Sequence, residues 1–343
     1  MQHGPARVYS ERLGSLSDAQ LQAALDHFGL GKLLHAGPAP TGLFGQNVFL
    51  VSTKGDYVLR GAGSLQQFHK EQFFTRMIHE RTEVPAPWPY EIDASSTIFG
   101  WPYAVMPRLP GLDDGSPDVR REFTALNKSR LAYAMGENLA RLQSLTWACC
   151  GEYDPRAATI APIESSFADW SIAGVRWWLD RCRAASSATT DADLVWAEDL
   201  IAGARGALYE PDPPVFVHTD YKENNTVAER VAKGWRVLGV FDVGEAFFGD
   251  GEADLSRSIA AYVREDMELA REFLSGYRSA RELRPGFTQR FALYMLRDRL
   301  IIWEFGQRNK IWFDEGLTLR EWAEPYTSLR LLDPAGEGGK HDD

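Results

Sequence analysis

Val217–His218–Thr219–Asp220–Tyr221–Lys222–Glu223–Asn224–Asn225 is followed, after a short β-rich segment, by Val240–Phe241–Asp242–Val243–Gly244. An Asp, an Asn five positions on and a second Asp beyond a hairpin are the groups that magnesium-dependent phosphoryl transfer needs. That reaction asks for one carboxylate to orient and deprotonate an acceptor hydroxyl, and for oxygens that hold magnesium on nucleotide phosphates. Asp220 is the expected base. Asn225 and Asp242 carry the hard oxygens that magnesium prefers, with phosphate and water completing its shell. A bland alternative exists, because Asp and Asn are common turn residues whose side chains bond to nearby backbone. The following segment weighs against it. Thr226–Val231 and Trp235–Asp242 are β-rich runs joined by Ala232–Lys233–Gly234, and such a hairpin returns Asp242 beside Asn225.

Moving towards the N-terminus, the chain changes character near Met106–Gly111, where Pro110 and Gly111 mark a crossover. Residues 1–107 are expected to form a small lobe, 108–334 a larger helical lobe, and 335–343 a disordered tail by composition. Linker backbone around Met106 and Arg108 is a natural hydrogen-bonding partner for adenine. In the small lobe, Leu33–Ala36, Asn47–Thr53, Asp56–Gly61, Tyr90–Ile92 and Tyr103–Pro107 read as strands. Ser17 with Gln20 resembles a capping box ahead of a short helix. Ser64–Arg81 reads as a longer helix with Phe68, Phe73, Met77 and Ile78 on its apolar face. The hairpin tip between Pro38 and Gln46 contains Gly42 and Gly45, and its backbone N–H groups can fold over phosphates. Arg60, closing a strand beside that tip, suits the α- and β-phosphates, and Glu71 is placed to pair with it. Each also has an ordinary reading as a surface charge.

Towards the C-terminus, Asn127–Trp147, Phe167–Cys182 and Ala192–Tyr209 are expected helices, the last stopped by the prolines at 211, 213 and 214. Asp254 opens a further helical stretch, where it either caps a helix or accepts backbone N–H groups from the loop at His218–Asp220. Residues 256–332 carry many aromatics at helical spacing. Most should be core, with a few available to cage a cation.

The 343 residues suffice for two substantial cores. Hydrophobic content of 44% and charged content of 25% are ordinary for a globular protein. No apolar run approaches a membrane span and Met1–Arg12 lacks a signal-peptide core, so a cytoplasmic location is expected. Three cysteines make neither a disulfide framework nor a zinc spacing. The net charge of −11 argues against nucleic acid. Basic and acidic residues balance over residues 1–110, so the whole excess lies beyond. A field of that sign favours a cationic partner, or simply solubility.

Taken in order, these residues resemble the aminoglycoside phosphotransferase and choline kinase group, small-molecule kinases with a protein-kinase-like fold. The resemblance covers about Leu33 to Leu332. It rests on the Gly42–Asn47 loop, Val58–Leu59–Arg60, Glu71, Val84–Pro85, Tyr103–Met106, Leu109–Pro110–Gly111, His218-x-Asp220-x4-Asn225, Asp242, Gly249–Asp250 and Asp254–Leu255. It implies an α+β, two-lobed fold, with a five-stranded antiparallel N-lobe hinged to a mainly helical C-lobe and ATP or GTP in the cleft. It implies Asp220 as base, Asn225 and Asp242 as magnesium ligands, Arg60 on phosphates with Glu71 as partner, and His218 with Asp254 bracing the catalytic loop. Three departures stand out: Thr219 where such kinases usually have Gly, Lys222 two positions after the base, and Arg60 for Lys. Lys222 is placed to reach the transferring phosphate. No arginine follows His218, so activation-loop control is not expected. The implied acceptor is a small-molecule hydroxyl, either on an antibiotic such as an aminoglycoside or on a metabolic alcohol such as choline, homoserine or a sugar. Asp113, Asp114, Glu245, Asp250, Glu265 and Asp266 are candidate partners for amines. A non-catalytic nucleotide-binding scaffold is the competing class, and it would usually have lost one of Asp220, Asn225 and Asp242.

Overall fold

Five strands form the first sheet in the order β3-β4-β5-β7-β6, every neighbouring pair antiparallel. They are β3 (Leu33–Pro38), β4 (Asn47–Ser52), β5 (Gly55–Arg60), β6 (Glu91–Asp93) and β7 (Tyr103–Pro107). Strand alternation sends successive side chains to opposite faces, and β7 shows what each face does. Tyr103 and Val105 join Val48, Leu50 and Leu59 against Leu21 and Leu25 of α1 (Asp18–His27). Ala104 and Met106 join Phe68 of α2 (Leu65–Arg81) and Tyr90 on the other side. The capping box at α1 is present, with Ser17 accepting from the Gln20 N–H and the Gln20 side chain accepting from the Ser17 N–H. In α2 the buried face uses Phe74 rather than the expected Phe73, which is only half-buried and packs its ring near Tyr153. An unanticipated hairpin, β1 (Arg7–Ser10) with β2 (Gly14–Leu16), precedes α1.

The computed structural model describes residues 7–39, 46–112, 120–121, 123–232, 234–311 and 316–331. Gly42 and Gly45 of the hairpin tip, Asp113 and Asp114, and the 335–343 tail lie outside the described residues.

Two compact units divide the chain. The first comprises Met1–Phe123, Tyr153–Thr159 and Glu223–Ala246; the second comprises Thr124–Glu152, Ile160–Lys222 and Phe247–Asp343. A single division after residue 107 therefore does not describe them. The hairpin β11 (Thr226–Val231) with β12 (Gly234–Val240) falls in the first unit because backbone hydrogen bonds tie it there. Leu112 and Ala228 exchange N–H···O bonds of 2.8 and 3.2 Å, and the Val240 N–H reaches Pro85 O at 3.1 Å. At Gly111 (φ +123°) a Cβ would lie 3.0 Å from the Ala228 carbonyl oxygen, so this crossing requires glycine.

The second unit is mainly helical, with α3 (Ala125–Leu142), α4 (Phe167–Ala185), α5 (Asp191–Arg205), α6 (Leu255–Val263), α7 (Met267–Ala280), α8 (Phe287–Asn309) and α9 (Leu319–Thr327). Its core joins Phe167, Ile172, Val175 and Leu179 of α4 with Trp196 and Ile201 of α5 and Leu293, Leu300 and Trp303 of α8. Short strands not read from the sequence, β8 (Gly151–Asp154) and β9 (Thr159–Pro162), complete a small sheet with β10 (Val215–Val217) and β13 (Phe247–Gly249), in the order β10-β13-β8-β9. Among the described residues no helix is long and apolar enough to cross a membrane.

Candidate active site

In the first unit the β11–β12 register pairs Thr226 with Val240. That places Asn225 opposite Phe241, whose N–H reaches Asn225 O at 3.1 Å, and leaves Asp242 next in line. Asn225 is buried at the end of a single 3₁₀ turn, Glu223–Asn225. Asp242 has φ +62°, the left-handed region that a non-glycine residue occupies only under constraint. Such backbone persists where the surroundings over-determine it, and here it aims a carboxylate. Arg60 Nη2 lies 3.2 Å from Asp242 Oδ1 and 2.9 Å from Glu71 Oε1.

Glu71 is buried and also accepts from Tyr90 Oη at 2.7 Å and Gln67 Nε2 at 3.1 Å. Burial pushes its carboxyl up, against the opposing pull of Arg60 and the Tyr90 hydroxyl. Burial also works against the Arg60 cation, but Glu71 and Asp242 more than offset it and hold its proton tightly. A Cβ on Gly244 would approach Glu71 Oε1 to 3.0 Å, which accounts for the glycine two positions after Asp242. Tyr90 is a partner that sequence reasoning missed, since nothing local links a tyrosine before β6 to the middle of α2.

In the second unit the loop His218–Asp220 hangs from Asp254. Its carboxylate accepts the His218 N–H at 2.8 Å and the Thr219 N–H at 2.7 Å. Asp254 makes no side-chain cap to α6, so of the two roles foreseen it takes the loop-bracing one. Complete burial pushes this carboxyl up to about 6, although His218 and the two N–H groups draw it down. His218 Nδ1 accepts the Asp220 N–H at 3.3 Å, and Thr219 sits at φ +73°. Tyr221 is fully buried, donating to Met135 O at 3.0 Å and accepting from Asn138 Nδ2 at 2.9 Å. Ser258 Oγ donates to Tyr221 O at 2.7 Å. The loop backbone is thus pinned on both sides of Asp220.

The Asp220 side chain is met by Lys222 Nζ at 2.9 and 2.7 Å and by Arg257 Nε at 3.0 Å. Burial raises its carboxyl, but Arg257 and Lys222 together win and hold it below the ordinary aspartate range. Arg257 was not singled out from the sequence. The available signal was its place three residues after Asp254, one helical turn along α6.

Of the remaining expectations, Met106 is buried on the α2 face of β7 and pairs with Val58. The Arg108 N–H donates to Asp56 O at 2.9 Å, while its guanidinium lies 4.0 Å from the centre of the Phe49 ring. Among the acids considered for amines, Asp250 is buried and bound by Tyr294 Oη at 2.7 Å and by Arg284 and Arg290, so it is structural. Asp266 caps α7, and Glu265 pairs with Lys128.

The donor set fits a magnesium–nucleotide group. Asn225 and Asp242 offer one amide and one carboxylate oxygen, and among the described residues the buried Arg60 Nε has no hydrogen-bond partner. A phosphate oxygen would satisfy it.

The family model described as "Phosphotransferase enzyme family" matches residues 37–287. Homoserine kinase from Burkholderia cenocepacia (strain HI2424) is 25% identical over 240 residues, 66% of this chain and 64% of that protein. The match thus spans less than two thirds of the curated relative. Among solved structures, aminoglycoside phosphotransferase APH(4)-Ia superposes with a TM-score of 0.61 at 16% identity, covering 90% of this chain and 96% of that one. Its thermostable mutant in ternary complex with ADP and hygromycin B gives 0.58 at 16% identity, covering 89% and 95%. The GDP and kanamycin complex of APH(2″)-IIia gives 0.59 at 15% identity, covering 88% and 93%. These likenesses establish the α+β, protein-kinase-like fold.

Proposed function

The chain belongs to the phosphotransferase enzyme family, and we propose on that premise that it moves the terminal phosphate of ATP or GTP to a hydroxyl of a small molecule by direct in-line transfer. The observation that carries the proposal is the state of Asp220. Its loop is braced through two backbone N–H groups by Asp254, and two cations keep its carboxylate ionised. An ionised, fixed carboxylate is what orients and deprotonates an acceptor hydroxyl. Lys222 can leave Asp220 for the transferring phosphate and stabilise charge as it builds. Arg60, held by Glu71, suits the inner phosphates. Asn225 and Asp242 would hold magnesium, which when bound neutralises charge developing on the phosphoryl group. With the Arg108 N–H already committed to Asp56, any adenine contact at that residue runs through its carbonyl.

For the acceptor, the fold neighbours that bind hygromycin B and kanamycin support an antibiotic and hence a resistance role. The homoserine kinases among the curated relatives support a second reading, a small metabolic alcohol. The burial of Asp250 removes one acid that a polyamine would need.

The test is magnesium-dependent ADP and GDP release across aminoglycosides, macrolides, choline, homoserine and sugars, with Asp220→Asn as control. Release that requires one acceptor and falls by about 10²–10⁴ in the variant is the expected result. Equal release by both proteins rules out Asp220 as base, and nucleotide binding with silence across the panel favours a non-catalytic scaffold.

A further inference from the structure

Arg257 does more than neutralise Asp220. Its Nε lies 3.0 Å from Asp220 Oδ1 and 3.0 Å from Asp298 Oδ1 without an aligned hydrogen bond to either, so one guanidinium forms ion pairs with two carboxylates. Asp298, in α8, is 5% exposed and accepts from Arg299 Nε at 3.1 Å. The Arg299 guanidinium in turn lies 4.6 Å from the centre of the Tyr326 ring and 5.2 Å from that of Trp322, both in α9. Alternating charges therefore run from α8 through α6 to the Asp220 loop, with the rings of α9 covering the far end. We infer that Arg257, itself oriented by Asp298, is a positioning residue that holds the Asp220 carboxylate in its reactive orientation throughout phosphoryl transfer. This rests on Asp220 being the base, as proposed above.

Two physical arguments separate the inference from mere packing. Buried ion pairs are costly to desolvate, and apolar side chains of equal volume would join α6 to α8 at least as well. What only the charged chain delivers is a fixed cation at Asp220 Oδ1. Lys222 cannot do this alone. Its side chain is 31% exposed, flexible, and needed at the phosphate in the proposed reaction. The guanidinium, 13% exposed and ion-paired to the second carboxylate of Asp298, stays beside Asp220 when Lys222 turns away. Without it the Asp220 side chain is free to swing, and a displacement of about 1 Å costs on the order of 100-fold in rate.

The full chain is compared with Arg257→Met, Arg257→Lys, Asp220→Asn and the Asp220→Asn/Arg257→Met double variant. Phosphoryl transfer is followed to the acceptor identified by the panel or, lacking one, to water. Arg257→Met should lose about 10- to 100-fold in kcat while the nucleotide KM stays within about twofold. Added guanidinium, or Lys at 257, should recover part of the loss. The double variant should be no slower than Asp220→Asn alone, because a residue acting only through Asp220 has nothing left to position. Unchanged kcat in Arg257→Met, or losses that add in the double variant, overturn the inference. Should Arg257→Met melt below the assay temperature, Arg257→Gln, which also removes the charge, carries the same comparison. A fully active Asp220→Asn would remove the base assignment, which is a different failure from an inert Arg257.

Discussion

Thr219 holds a backbone conformation that β-branched residues rarely adopt, at φ +73°. The conformation accompanies a specific contact, the Thr219 N–H to Asp254 bond of 2.7 Å. Thr219→Gly should therefore cost no stability, whereas the same change in ordinary extended backbone costs roughly 1 kcal/mol. Chemical denaturation of the two proteins checks this, and a loss above about 1 kcal/mol contradicts it. Asp254 carries a pH signature. Its folded value of about 6 lies above the ordinary 3.8, so its contribution to stability is complete below pH 3.8 and is lost as pH rises through 6. Relative to Asp254→Asn, the wild type should lose about 3 kcal/mol across that window. Urea unfolding of both proteins at pH 4.5, 5.5 and 7 measures the difference, and parallel curves would refute it. Asp220, Asn225, Asp242 and Asp254 were nominated as candidates one by one, since their chemistry and spacing stand in the chain. Tyr90, Arg257 and Asp298 were not, because each meets its partner only after distant segments pack.

Among elements, α3 and α7 approach closely through glycines. A Cβ on Gly136 would fall 1.9 Å from Phe273 O, and one on Gly276 would fall 2.0 Å from Tyr133 O. Backbone cannot rotate out of the way as a side chain can, so Gly136→Ala and Gly276→Ala should each cost about 3 kcal/mol or more. Gly174 in α4 and Gly203 in α5 meet nothing within 4 Å. Alanine there should stabilise by roughly 0.5–1 kcal/mol through helix propensity and a less flexible unfolded chain. Thermal melts of the four variants make the comparison, and a uniform response would show the crossing to be looser than described. Elements with strong period, such as α2, α3 and the β11–β12 hairpin, could be read in advance. The short β8 and β9 could not, since strands of four residues carry too little pattern; β8 gains its pairing from β13 and β9 from β8.

For the whole molecule, the donor set of Arg60, Asn225 and Asp242 predicts linkage between ligand and stability. Magnesium nucleotide at about 100 times its Kd should raise stability by about 2.7 kcal/mol. Asp242→Ala should abolish the magnesium-dependent part of that rise, measurable as the difference between melts with nucleotide alone and with magnesium added. The protein-kinase-like class and the order of its parts could be read from the chain, because the motif residues keep their order and spacing in one dimension. Membership of the hairpin that bears Asn225 and Asp242 in the first compact unit could not. It depends on hydrogen bonds to Leu112 and Pro85, which exist only once the chain has folded back on itself. The same holds for the charge chain behind Asp220. Side-chain chemistry is written residue by residue, but the local field that sets a carboxylate's behaviour is a sum over neighbours that folding alone assembles.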